Sequence, residues 1–124
     1  MERLGSVGIF VADLSRAVEF YGTALGFHRT ADFGTYALLD GGSGASLIVS
    51  SLPEGRGVED VGASVLKIVI MADDAAATIE KVVAAGGSLV EPARSRDGIP
   101  YVIGMASDPD GYLLEVIQEG TATG

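Results

Sequence analysis

Apolar positions along the chain switch between two periods, and the switch occurs twice in the same order. The stretch "SVGIFVADL" mixes β-branched and aromatic residues and predicts a strand, and "LSRAVEFYGTALGF" then places Leu14, Ala17, Val18, Tyr21 and Leu25 at helical spacing. Asp13 is positioned to cap that helix and Gly26 to end it. Three more strands are expected in "FHRTADF", "TYALLD" and "ASLIVSS", with the turn-rich "GGSG" joining the last two. The polar, glycine-containing "LPEGRGVEDVGAS" reads as a linker, after which the pattern restarts. "VLKIVIMAD" is a strand, Asp74 introduces a helix in "AAATIEKVVAAGG", and "GSLVEPA", "PYVIGMAS" and "GYLLEVIQ" supply three strands. An offset of 61 residues pairs Asp13 with Asp74, Glu19 with Glu80, Ala24 with Ala85 and Gly26 with Gly87, and one of 67 pairs Gly44 with Gly111 and Val49 with Val116. These identities fall at caps and turns, where geometry dictates residue type. The expectation is an internal repeat of two βαβββ modules, about residues 1–55 and 63–120, in a single α+β domain spanning 1–124.

Strand alternation assigns the faces. Val7, Ile9 and Val11 are expected under the first helix, with Ser6, Gly8 and Phe10 opposite; Ile68, Ile70 and Ala72 repeat that role against Lys67, Val69 and Met71. Likewise Leu47 and Val49 oppose Ser46, Ile48 and Ser50, and Leu114 and Val116 oppose Leu113, Glu115 and Ile117. One face is thus apolar, and the other sets Ser6, Ser46, Ser50, Lys67 and Glu115 among apolar groups, the composition of a ligand pocket. A charge on the second face of a sheet is ordinarily just solvated. Lys67 and Glu115 are given more weight because they are read on equivalent strands of the two modules, both projecting toward one pseudo-twofold axis.

Composition narrows the function. A net charge of −9, with eight scattered Lys and Arg, argues against nucleic acid as a partner. No cysteine is present, which excludes disulfides, thiolate metal sites and a thiol nucleophile. The opening residues lack a signal-peptide pattern and no apolar run approaches a membrane span, so a cytoplasmic protein without membrane association is expected. "GGSGAS" lacks the Lys-Ser/Thr of a phosphate loop, no G-x-S-x-G elbow occurs, and "RSRDGIP" places Arg94 and Arg96 in a loop expected to border the cavity mouth.

The opening "SVGIFVADLSRAVEFYGTALGF" and the closing "DPDGYLLEV" resemble the vicinal oxygen chelate superfamily, the glyoxalase, bleomycin-resistance and extradiol dioxygenase fold. The resemblance covers nearly the whole chain. It implies paired modules curled into an open mixed sheet, a homodimer, and a ligand in the concavity. In metal-dependent members four ligands sit on the first and last strands of the modules, and those positions fall on Ser6, Ile48, Lys67 and Glu115. Glyoxalase-like members would have His or Gln, Glu, His and Glu there, and only the last survives. The lone histidine, His28, matches none of them. The expectation is therefore no metal and no cofactor, with Lys67 standing where the cation would be and Glu115 as its ion-pair partner.

Three functions remain open on these residues. The first is a small-molecule binding protein that sequesters an antibiotic or related metabolite, with Ser6, Phe10, Tyr36, Ile48, Ser50, Lys67, Met71, Tyr101, Met105 and Glu115 lining the site. The second is a lyase or isomerase using Lys67 as electrophile and Glu115 as base, or a metal-dependent glyoxalase-like enzyme as a sub-case. The third is an accessory module with an empty cavity.

Overall fold

The computed structural model describes residues 2, 5–52, 55 and 66–119, so the expected linker lies outside the described residues apart from Leu52 and Gly55. The chain divides into two compact units, Met1–Val61 and Gly62–Gly124. The first contains β1 (Val7–Val11), α1 (Leu14–Leu25), β2 (His28–Asp32), β3 (Tyr36–Asp40) and β4 (Ser46–Ser51); the second contains β5 (Lys67–Ala72), α2 (Ala75–Ala84), β6 (Ser88–Arg96), β7 (Ile99–Ser107) and β8 (Leu113–Glu119). Each unit forms its own four-stranded sheet, in the order β1-β4-β3-β2 and β5-β8-β7-β6. In each, the first and last strands run parallel and the other neighbours antiparallel. The repeat therefore holds at the level of topology, and it holds at the level of register. Gly8 pairs with Ile48 as Val69 pairs with Glu115, and Ala37 pairs with Val49 as Gly104 pairs with Val116.

Both helices start as the sequence predicts. The Arg16 N–H donates to Asp13 Oδ1 at 3.0 Å and the Ala77 N–H to Asp74 Oδ1 at 3.1 Å, satisfying one otherwise orphaned donor in each first turn. Gly26 ends α1 in the left-handed region, whereas α2 ends at Ala85 with ordinary geometry. The buried stripe of α1 differs from the expected one: it comprises Ala17, Phe20, Tyr21 and Ala24, while Leu14, Val18 and Leu25 are only half-buried. Phe20 and Tyr21 meet edge to face at 5.0 Å, so the two large rings fix which side of α1 turns inward. In α2, which lacks such rings, Ala75, Ile79 and Val82 are buried instead.

The sheet residues beneath each helix form the cores, with Ile9, Val11, Leu39 and Val49 in the first unit and Ile70, Val102, Leu114 and Val116 in the second. Val7, expected in that set, is 39% exposed at the strand's start. The turn before β8 is held by the buried Asp108, whose Oδ1 accepts from the N–H groups of Asp110 and Tyr112, each at 2.9 Å. Gly111 within it has φ 93°, a conformation that a side chain would strain. This turn delivers β8 to its parallel pairing with β5.

The β6–β7 ladder carries two irregularities that its counterpart lacks, one between Glu91 and Arg94 and one between Ser95 and Arg96. In both units a single extra residue bulges early, Thr30 against β3 and Val90 against β7. In the second unit only, Glu91 pairs with Met105 and Arg94 with Ile103, so three steps on β6 match two on β7. Pro92, which has no N–H to donate, falls inside this second bulge. The bulged backbone presses on Gly104, where an added Cβ would lie 2.9 Å from Ala93 Cα and 2.5 Å from Ile79 Cδ1.

Candidate functional site

Lys67 is the first residue of β5, and Glu115 lies in β8 opposite Val69, so the two side chains share the sheet face turned away from α2. Lys67 Nζ donates to Glu115 Oε1 at 3.2 Å, and their side chains are 53% and 13% exposed. Both residues belong to the second unit, which corrects the expectation that they occupy equivalent strands of two modules. Their proximity comes from parallel pairing of the first and last strands within one module. With one partner largely solvated, the pair contributes about 0–1 kcal/mol to stability.

Ladder partners of Glu115 extend the same face. Val69, Glu115, Met105 and Glu91 form one row across β5, β8, β7 and β6, and Met71, Ile117, Ile103 and Arg94 form the next. Tyr101 faces the same way one step further along β7, opposite Glu119. Alternation along β6 would turn Glu91 and Arg94 to opposite sides; the second bulge brings them to one side, where Arg94 Nη2 donates to Glu91 Oε1 at 2.7 Å. Arg96 Nη2 stands 3.2 Å from the same oxygen, out of line for a hydrogen bond. Arg94 foremost, and Arg96 beside it, hold the Glu91 carboxyl below its ordinary pKa. Arg94 and Arg96 therefore lie in a strand, not in the loop expected from "RSRDGIP", whose turn is confined to Asp97 and Gly98.

The equivalent face of the first unit is built differently. Phe10, Ser50 and Tyr36 form one row across β1, β4 and β3, and the neighbouring row is Gly8, Ile48 and Leu38. Tyr36 stacks on Phe33 at 4.8 Å with planes 19° apart, leaving both rings substantially exposed. Phe33 was not among the expected site residues, because it lies beyond the end of β2, where alternation assigns no face. Ser6 precedes β1 and is half-buried, as is Ile48. His28 lies at the end of this sheet, 75% exposed and 3.7 Å from Asp40 Oδ2. The expected residues thus fall into two sets, Lys67, Met71, Tyr101, Met105 and Glu115 on one unit and Ser6, Phe10, Tyr36, Ile48 and Ser50 on the other. An open recess of about 340 Å³ is lined by Met71, Ala72, Asp73 and Glu119 at the C-terminal ends of β5 and β8, and neither Lys67 nor Glu115 lines it.

The four positions implied for a metal do not fit one. Ile48 has no donor atom, and the Lys67 ammonium already carries positive charge against the carboxylate that would bind the ion. The shared register makes Ile48 the structural counterpart of Glu115, so the loss of a ligand at that position is a matter of residue type and not of alignment. Among the described residues, no three His, Cys, Asp or Glu side chains are grouped to hold a metal. Among them, too, no helix is long and apolar enough to cross a membrane.

Known proteins agree with this geometry at the level of the fold. The chain is 35% identical over 116 residues to a lactoylglutathione lyase from Haemophilus influenzae, covering 87% of this chain and 86% of that protein. It is 35% identical over 118 residues to a probable chloroplastic lactoylglutathione lyase from Arabidopsis thaliana, covering 89% of this chain but only 34% of that longer protein. A crystal structure of a glyoxalase-related enzyme from Fulvimarina pelagi superposes with a TM-score of 0.76 at 20% identity, covering 96% of this chain and 89% of that one. The family model described as the Glyoxalase/Bleomycin resistance protein/Dioxygenase superfamily matches residues 3–116. The chain belongs to that superfamily.

Proposed function

We propose that this protein binds a small organic molecule without a divalent metal, sequestering an antibiotic or related metabolite, with Lys67 supplying beside Glu115 the positive charge that an ion would supply in metal-dependent relatives. The observation that carries this reading is the 3.2 Å contact between Lys67 Nζ and Glu115 Oε1 beside the apolar side chains of Val69 and Met105. Val69, Met71, Ile103 and Met105 give that face apolar surface for a ligand, and the ion pair gives it one polar anchor. Elemental analysis of untagged protein purified from metal-supplemented medium tests the metal-free part; a stoichiometric divalent ion would sink it. Calorimetric titration with antibiotics of several structural classes tests the sequestration part, and no binding below millimolar across the classes refutes it.

The names of the relatives favour a second reading, a lyase or isomerase acting through the same two residues. Lys67 would polarise a substrate carbonyl while Glu115 takes the proton from the adjacent carbon, giving an enolate that is reprotonated elsewhere. Turnover in a lactoylglutathione lyase assay, abolished by Lys67→Met and Glu115→Gln and unaffected by chelator, would replace sequestration with this chemistry. Turnover that appears only with added divalent ion would instead establish the metal-dependent enzyme.

A further inference from the structure

We propose that the open face of the second unit selects an amphiphilic carboxylate, held at its anionic end by Arg94 and Arg96 and laid by its apolar body across Ile103 and Met105 toward Lys67 and Glu115. This rests on the reading that this face is the ligand site, and it adds the class of ligand. The first support is local charge. Two guanidinium groups meet one carboxylate, Glu91, leaving a net positive charge on a chain whose total is −9. Of the four basic residues in this unit, Lys67, Lys81, Arg94 and Arg96, all but Lys81 reach this face. The second support is unmet hydrogen-bonding capacity. Both arginines contact the same oxygen, Glu91 Oε1; the Arg94 side chain is 63% exposed and presents its guanidinium to solvent, whereas Arg96 Nε and Nη2 are buried without a hydrogen-bond partner, so Arg96 adds positive charge beside it. A planar guanidinium with open donors matches a carboxylate two bonds at a time.

The third support is how the cluster is built. The bulge at Pro92 and Ala93 is the device that turns Arg94 to the same side as Glu91, and it is absent from the first unit. Glu91 then acts as a positioning residue for the two arginines. Spacing sets the length of the ligand. Glu91, Met105 and Glu115 are successive ladder partners, so at about 4.8 Å per strand the arginine cluster lies roughly 10 Å from the Lys67–Glu115 pair. Glu119, at the far end of β8 opposite Tyr101, carries negative charge and so disfavours the anionic end there.

The test is titration of octanoate and of its neutral isostere octanamide into the full chain, followed by side-chain methyl NMR of Met105 and Ile103. The expected result is that octanoate binds about tenfold more tightly than octanamide, the effect of one charge-assisted bond. Arg94→Gln reduces that preference severalfold, Arg94→Gln with Arg96→Gln abolishes it, and octanamide affinity stays constant throughout. Arg94 is exposed enough for its single variant to decide the matter if the double variant melts early. Perturbation of Met105 and Ile103 with no preference for octanoate, or with a preference that survives both substitutions, overturns this inference and leaves the binding face standing. Failure of both probes to perturb those methyl groups overturns the inference together with the reading beneath it.

Discussion

The two units share strand order, the parallel pairing of first and last strands, and register, yet their open faces carry opposite chemistry. The first is aromatic and hydroxylated, with Phe10, Phe33, Tyr36 and Ser50, and carries the His28–Asp40 contact at its far end; the second is laced with Lys67, Glu91, Arg94, Arg96 and Glu115. At equivalent ladder positions, Ile48 stands where Glu115 stands and Ala37 where Gly104 stands. A repeated backbone thus leaves side chains on both faces free to diverge, Ala37 and Gly104 on the core face as well as Ile48 and Glu115 on the open one. What a position does on this fold follows from its side chain and not from its place in the repeat.

The largest expected effect separates the helices. Phe20→Ala removes a buried ring and should cost about 3–5 kcal/mol in denaturant unfolding, whereas Lys81→Ala, 61 positions later, should stay within about 0.5 kcal/mol. Equal effects would mean that α1 and α2 bury the same stripe after all. Next comes the bulge. Gly104→Ala drives a methyl into Ile79 and the Ala93 backbone and should cost about 1–3 kcal/mol, while Ala37→Gly, in the unit without that bulge, should cost about 1 kcal/mol.

A transplanted charge probes the open faces. Ile48→Glu alone should destabilise by about 1–2 kcal/mol by half-burying an unpaired carboxylate, and adding Ser6→Lys should recover up to about 1 kcal/mol; a double-mutant cycle measures the coupling. The smallest effect is a pH dependence. Because the folded Glu91 pKa lies below its ordinary value of 4.5, its ion pairs stabilise fully above that value and lose their effect as pH falls through the lower, folded one. The stability difference between the protein and Glu91→Gln should therefore be flat from about pH 5 to pH 7 and shrink toward pH 3.

Much of the fold was legible because local chemistry and global topology agree. Asp13 and Asp74 cap helices, Gly111 permits the turn before β8, and alternation places Lys67 and Glu115 on the outward face. Legibility failed where periodicity breaks. Period two cannot place Glu91 and Arg94 on one side, since it takes the extra residue at Pro92 and Ala93 to do so, and that extra residue appears only when β6 is laid against β7. In α1 both candidate stripes are apolar, so Leu14 and Val18 looked as suitable as Phe20 until the ring contact with Tyr21 decided between them. That Lys67 and Glu115 share a module follows from the module bounds 63–120, but the adjacency of their strands does not, because strand order, unlike strand identity, is not written in alternation.

That pairing also has a consequence in time. Lys67 and Glu115 are 48 residues apart, on the first and last strands of their unit, and parallel pairing offers no short hairpin to bring them together. Contacts so distant along the chain close only after the intervening helix and hairpin have reduced the entropy of the loop between them. Hydrogen exchange during refolding should accordingly protect β7 before β5, and the anchor beside Glu115 should be among the last features of the unit to assemble.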